Sequence, residues 1–154
     1  MLQRKQTLYL LCSFLIIGSL LFLNLGNFAG EEGIFELRFN GLLDVTRPDS
    51  PSLAVSIPAL AITIILPLVL CLLSIFMYKK RPLQMRVTGI NIGLQVGLSA
   101  FLVFSNYILA SKLGFEWHFY YTSFLPLMSA VFSYLAYRGI SDDEALINSL
   151  NRLR

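Results

Sequence analysis

The sequence predicts an all-α membrane protein, a bundle of four transmembrane helices. Two observations carry this. Four stretches of about twenty residues or more lack any charged side chain: Gln6–Gly30, Ser50–Tyr78, Val87–Ser111 and Trp117–Tyr137. A helix needs about 20 apolar residues to cross a hydrocarbon core of about 30 Å. The 154-residue chain is 56% apolar and 14% charged, with a mean hydropathy of +0.68, against about 25% charged in soluble domains. The stretches are too long and too continuously apolar for barrel strands, which alternate over about ten residues. A single domain is expected, with spans near 7–26, 54–78, 87–111 and 117–137, an outer loop 27–53 and a tail 138–154.

The first span opens behind Arg4 and Lys5. A cleaved signal peptide ending near Asn27-Phe28-Ala29 is the competing reading. Its apolar run exceeds the usual 7–15 residues, and Asn poorly fits a small-residue cleavage position. Cationic residues set the orientation. With the N-terminus inside, nine Lys and Arg lie on inner segments (Arg4, Lys5, Lys79, Lys80, Arg81, Arg86, Arg138, Arg152, Arg154) and three on outer ones (Arg38, Arg47, Lys112). The positive-inside rule then places both termini in the cytoplasm. The net charge of +3 reflects this topology, and no nucleic-acid partner is expected.

The outer loop holds a hairpin signal. Phe35, Leu37 and Phe39 alternate with Glu36 and Arg38, and Asn40-Gly41 follows. Asn-Gly suits the centre of a type I′ turn, where both residues need positive φ. A short extracytoplasmic hairpin is expected, with its Phe/Leu face on the bundle.

Span two contains Pro58 and Pro67, and span four Pro126. Each is expected to kink its helix and free a carbonyl that Thr63 or Thr122 could satisfy. Pro82 interrupts the inner loop. There Lys79, Lys80, Arg81 and Arg86 face the headgroups, each worth about 1 kcal/mol of attraction to anionic lipid.

Span three carries two faces. Gly89, Gly93 and Gly97 form GxxxGxxxG, a helix-packing or oligomer face, because small residues let helices approach closely. Thr88, Asn91, Gln95, Ser99 and Asn106 form a polar intramembrane stripe on roughly the opposite side at about 100° per residue. Amides are costly against lipid, so the stripe should turn inward or toward another subunit, as hydrogen-bond glue or as the lining of a path.

In the tail, Ser141-Asp142-Asp143-Glu144 fits a capping box. Leu146, Leu150 and Leu153 share a face with Ile147. A short cytoplasmic amphipathic helix is expected, a candidate docking helix for a partner.

Three segments together resemble the DUF-4293 family: the opening Met1 to Leu11, the run Arg81-Pro82-Leu83-Gln84-Met85-Arg86 with Asn91, and the ending Asp143-Glu144-Ala145-Leu146 through Arg152-Leu153-Arg154. Asp142 stands where the family more usually carries a basic residue, and Asn151 where it carries Asp. The resemblance implies a small four-span inner-membrane protein of the Bacteroidota. It carries over no catalytic residue.

Enzymatic motifs do not emerge. The spans hold no Asp, Glu, Lys or Arg, and the one His, His118, sits among interfacial aromatics. Proton-coupled transporters usually keep an intramembrane ionisable group, and zinc proteases need paired His. Cys12 and Cys71 show no metal or redox spacing. No cofactor and no metal are expected. The expected role is a non-catalytic subunit or assembly factor of an inner-membrane complex, with the bilayer and a membrane protein or a second copy as partners. The alternative is a small carrier, channel or lipid-binding protein using the polar stripe.

Overall fold

The computed structural model describes residues 3–30, 33–46, 52–115 and 118–152. In chain order these form α1 (Gln3–Ser19), β1 (Gly26–Gly30), β2 (Gly33–Arg38), β3 (Gly41–Asp44), β4 (Ser52–Ser56), α2 (Pro58–Phe76), a 3₁₀ turn (Met77–Lys79), α3 (Arg81–Leu113), a second 3₁₀ turn (Tyr121–Phe124) and α4 (Leu125–Arg152).

The all-α, four-span expectation is corrected on two counts. An antiparallel sheet of four strands, ordered β1-β2-β3-β4, caps one end of the helices. Among the described residues, only α2 and the Arg81–Lys112 part of α3 are long and apolar enough to cross a membrane. The physical reason lies in how the apolar stretches are used. The first ends its helix at Ser19, and the rest becomes turns and β1. A 17-residue helix reaches only about 25 Å. The second stretch contributes β4 before α2 begins. The fourth enters its helix only at Leu125, and charged residues start at Arg138.

Prolines mark helix starts here more than kinks. Pro58 opens α2 and Pro82 lies in the first turn of α3, where a missing N–H costs nothing. Pro126 is likewise in the first turn of α4, and Thr122 donates to Leu25 O instead of repairing that helix. Among the described prolines, only Pro67 lies in a helix interior. Thr63 does not repair it, since its hydroxyl bonds Ala59 O (2.8 Å) and Leu60 O (3.0 Å), a turn earlier. α3 ends at Gly114 in the left-handed conformation (φ 70°), and Phe115 N–H bonds back to Ala110 O at 3.0 Å, the pattern of a Schellman cap.

The sheet is larger than the expected hairpin, and its turn differs. Arg38 pairs with Gly41, so the turn residues are Phe39 and Asn40. Neither has positive φ. Gly41 does (φ 145°), and a Cβ there would overlap Val55 O of β4. Leu37 and Leu42 face each other across β2 and β3, both buried, and join Leu20, Leu25, Phe28, Leu60, Ile64, Leu98 and Leu102 in one core. Burying each such side chain contributes about 1.5–3 kcal/mol. Phe28 meets Tyr120 edge-on and Phe35 packs near Phe115, with ring centroids 6.4 and 6.2 Å apart. The polar face carries the exposed Arg38–Glu36 ion pair, of little energetic weight.

Below the sheet, α1 packs on α2 and α4, and α3 on the same two helices. All four turn large apolar side chains outward, including Leu15, Ile62, Phe76, Phe104 and Val131. An apolar surface of this extent marks contact with lipid or protein.

Candidate functional site

The feature that organises the interior is a spine of polar side chains along the inward face of α3. Gln84, Thr88, Asn91, Gln95, Ser99 and Asn106 are all buried. They recur at helical spacing, which stacks them on one face. The sequence-derived stripe, Thr88 to Asn106, therefore lies wholly inside the chain.

At the end away from the sheet, Gln84 Nε2 donates to Ser74 O (2.9 Å) and Thr88 Oγ1 donates to Gln84 O (2.8 Å). Ser74 Oγ lies 2.7 Å from Thr88 Oγ1. Because the Thr88 proton is committed to Gln84, Ser74 is the donor of that bond. At the sheet end, Ser99 donates to Ser123 O. Asn106 Nδ2 bonds Leu102 O (2.9 Å) and Leu25 O (3.1 Å), and Thr122 reaches the same Leu25 O (3.3 Å). These bonds fix the turn that leads into β1. Asn106 approaches Gly26 so closely that a Cβ there would overlap Oδ1.

The centre of the spine is a cluster that draws on all four helices. Ser13 Oγ of α1 lies 2.7 Å from both Ser129 and Ser133 of α4, 3.1 Å from Gln95 Nε2 of α3 and 3.4 Å from Cys71 Sγ of α2. A hydroxyl has one proton and two acceptor sites, so the protons can be assigned. Ser129 donates to Ser13 O (3.0 Å) and therefore accepts from Ser13 Oγ. Ser13 then accepts from Gln95 and Ser133. The Cys71 thiol turns to Leu10 O at 3.5 Å. Ser13 has spent its proton on another serine, with no imidazole or carboxylate in the cluster to take it. Activating a serine nucleophile needs such a base. As arranged, the cluster ties helices together.

The spine is not fully satisfied. Asn91 Nδ2 and Oδ1, Gln95 Oε1 and Asn106 Oδ1 are buried without a hydrogen-bond partner. Asn91 faces Cys71 Sγ without making a bond of normal geometry. Among the described residues, no three His, Cys, Asp or Glu side chains gather as a metal site would require.

The glycine face lies on the other side of α3. A Cβ built on Gly93 or Gly97 would meet nothing within 4 Å, and one on Gly89 would meet only Tyr137, at 3.8 Å. Among the described residues, no element packs on Gly93 and Gly97.

The basic turn sits at the end away from the sheet. Lys80 and Arg86 are exposed and Arg81 is half-buried; Lys79 lies in the 3₁₀ turn, its side chain outside the described residues. Beside it, Gln6 Nε2 of α1 donates to Asp143 Oδ2 of α4 at 2.7 Å. The course of α4 corrects the expected capping box. α4 runs unbroken through Ser141, so no new helix starts there, and Asp143 is spent on Gln6. The tail is the last three turns of α4. Leu146 and Ile147 are exposed on it. The Leu150 side chain and Leu153 lie outside the described residues.

Sequence reading missed the serine cluster and the Gln6–Asp143 bond. A signal existed for the first: Ser129 and Ser133, one turn apart on an otherwise apolar helix. Nothing local pointed to the second.

The family model described as "Domain of unknown function (DUF4293)" matches residues 2–153. No curated protein and no solved structure matches the chain. With the match covering nearly every residue, the chain belongs to the DUF4293 family.

Proposed function

We propose that the protein is a non-catalytic, multi-pass protein of the inner membrane, acting as a subunit or assembly factor of a membrane complex. One observation carries the reading: α3 spends its polar face inside the chain, and no described residue covers Gly93 or Gly97. Gln84, Thr88, Gln95, Ser99 and Asn106 bond neighbours within the chain and, unlike Asn91, are held there without a second protein. A glycine-lined helix face in lipid favours another helix, because close approach lets backbones pack. The α2–α3 pair is the membrane anchor, and its basic turn is cytoplasmic by the positive-inside rule. The sheet then lies on the outer side.

A second reading draws on the orphaned amides of Asn91 and Gln95, which could line a path for a small polar solute. Leu98 and Leu102, both buried, close the interior toward the sheet and weigh against it.

The test is the size of the native complex in mild detergent. Gly93→Leu should release the partner or a second copy while the chain still inserts and folds, since a Cβ at Gly93 meets none of the described residues within 4 Å. Gln95→Leu should leave complex size unchanged. An unaltered complex in Gly93→Leu refutes the glycine interface. Solute movement by the purified, unpartnered protein in liposomes would favour the path.

A further inference from the structure

At the basic end, α3 and α4 enclose an open groove of about 540 Å³, lined by Pro82, Met85, Arg86, Gly89, Ile90, Tyr137 and Glu144. Gly89 lines it on α3, and the Tyr137 ring of α4 lies 3.8 Å from where a Cβ on Gly89 would be. Two opposite charges, Arg86 and Glu144, share this wall. Among the described residues neither makes an ion pair. Opposite charges that line one groove without bridging each other are complementary to a ligand carrying both signs.

We infer that this groove binds the headgroup of a zwitterionic phospholipid with a primary amine, a phosphatidylethanolamine. Arg86 takes the phosphate, because a guanidinium presents a planar fork of donors that matches phosphate oxygens. Glu144 takes the ammonium, which supplies N–H donors to a carboxylate. The ring of Tyr137, which also lines the groove, adds a surface that attracts a cation. Met85 and Ile90 provide the apolar border from which the acyl chains enter the bilayer.

The charge pattern sets the selectivity. A choline headgroup carries the same charges but has no N–H to give Glu144, and its methyls enlarge it. A glycerol headgroup leaves Glu144 facing a net anion. The exposed Lys80 and half-buried Arg81 add general attraction for anionic lipid but do not line the groove. The site ends at Ile90, so Gly93 and Gly97 stay open to a helix. The inference rests on the membrane reading above, and not on any protein partner.

The test uses the full chain. Wild-type protein is first checked for flotation with vesicles. It is then placed in mixed micelles holding equal amounts of phosphatidylethanolamine, phosphatidylcholine and phosphatidylglycerol, and the retained lipids are identified by native mass spectrometry. The expected result is about tenfold preference for phosphatidylethanolamine over each competitor, the effect of one charge-assisted hydrogen bond. Glu144→Gln should abolish the preference over phosphatidylglycerol, and Arg86→Gln should reduce retention of all three. Among the described residues both side chains are free of ion pairs, so neither change should disturb folding. Flotation with equal retention of the three lipids keeps the membrane reading and overturns this site. So does a preference for phosphatidylglycerol, or a preference that Glu144→Gln leaves intact. Failure to float overturns both.

Discussion

Gln6 and Asp143 stand 137 positions apart in sequence, yet the Gln6 amide donates to the Asp143 carboxylate at 2.7 Å. The bond joins the first helix to the last at the end away from the sheet. Gly139 makes room for it, since a Cβ there would lie 3.1 Å from Gln6 Cγ. A hydrogen bond to a charged group contributes about 1.5–3 kcal/mol. Asp143→Ala should therefore lower stability by about that amount, read as a shift in thermal unfolding in detergent. Gln6→Ala should cost a similar amount, and the double variant clearly less than the sum. Full additivity would show that the two side chains do not act on each other.

The same bond changes how the tail can be tested. Deleting 141–154 would remove Asp143 along with the candidate docking face, so a lost interaction would have two explanations. Truncation after Glu144 separates them. It keeps Asp143 on Gln6 and removes Leu146 and Ile147, the exposed apolar residues of the last turns. If the tail docks a partner, this shortened chain should unfold at the wild-type temperature and lose that partner on co-purification. Retention of every partner would end the docking role.

Asn91 and Gln95 are one turn apart and equally buried, but they should respond differently to the same replacement. Gln95 Nε2 bonds Ser13, whereas Asn91 has both side-chain polar atoms without a partner. A buried polar group without a partner costs free energy, and an apolar group of similar shape removes that cost. Asn91→Leu should be neutral or stabilising. Gln95→Leu should cost about 0.6–1.5 kcal/mol through the lost bond to Ser13. Asn91→Leu destabilising by more than about 2 kcal/mol would mean that Asn91 holds a polar partner in the membrane, which is what the carrier reading requires.

The polar spine was legible in part because a helix repeats every 3.6 residues, and Thr88, Asn91, Gln95, Ser99 and Asn106 fall on one side at that period. The glycine spacing was legible for the same reason. Apolar runs are less informative, because hydrophobicity does not distinguish helix from strand or turn. The spans expected to end near residue 26 and to begin near residue 54 run on apolarity into Gly26 and Ala54–Ser56, which belong to strands that pair with β2 and β3. The Asn40-Gly41 signal found the hairpin but misplaced its turn by one residue, because Gly41 is needed for its close approach to β4. The capping box failed because α4 already runs from Leu125 through Ser141 without a break, so Ser141 and Glu144 have no free helix N-terminus to cap.

The tightest approach along the spine gives the last prediction. Gly26 leads the chain from α1 into β1, and Asn106 presses on it while bonding Leu25 O and Leu102 O. A methyl group at Gly26 occupies the space of Asn106 Oδ1. The amide cannot swing away without giving up both bonds, and Thr122 would then be left alone on Leu25 O. Gly26→Ala should therefore destabilise by about 1–3 kcal/mol, the usual cost of overpacking a filled site, and should loosen the sheet before the helices. Hydrogen exchange would show this as faster exchange in β1 and β2 with little change in α2. The assignment of cause is testable by removing the obstacle. In an Asn106→Ala background the methyl group has room, so adding Gly26→Ala should cost much less than it does in the native chain. An undiminished cost in that background would place the strain in the Gly26 backbone and not in its contact with Asn106.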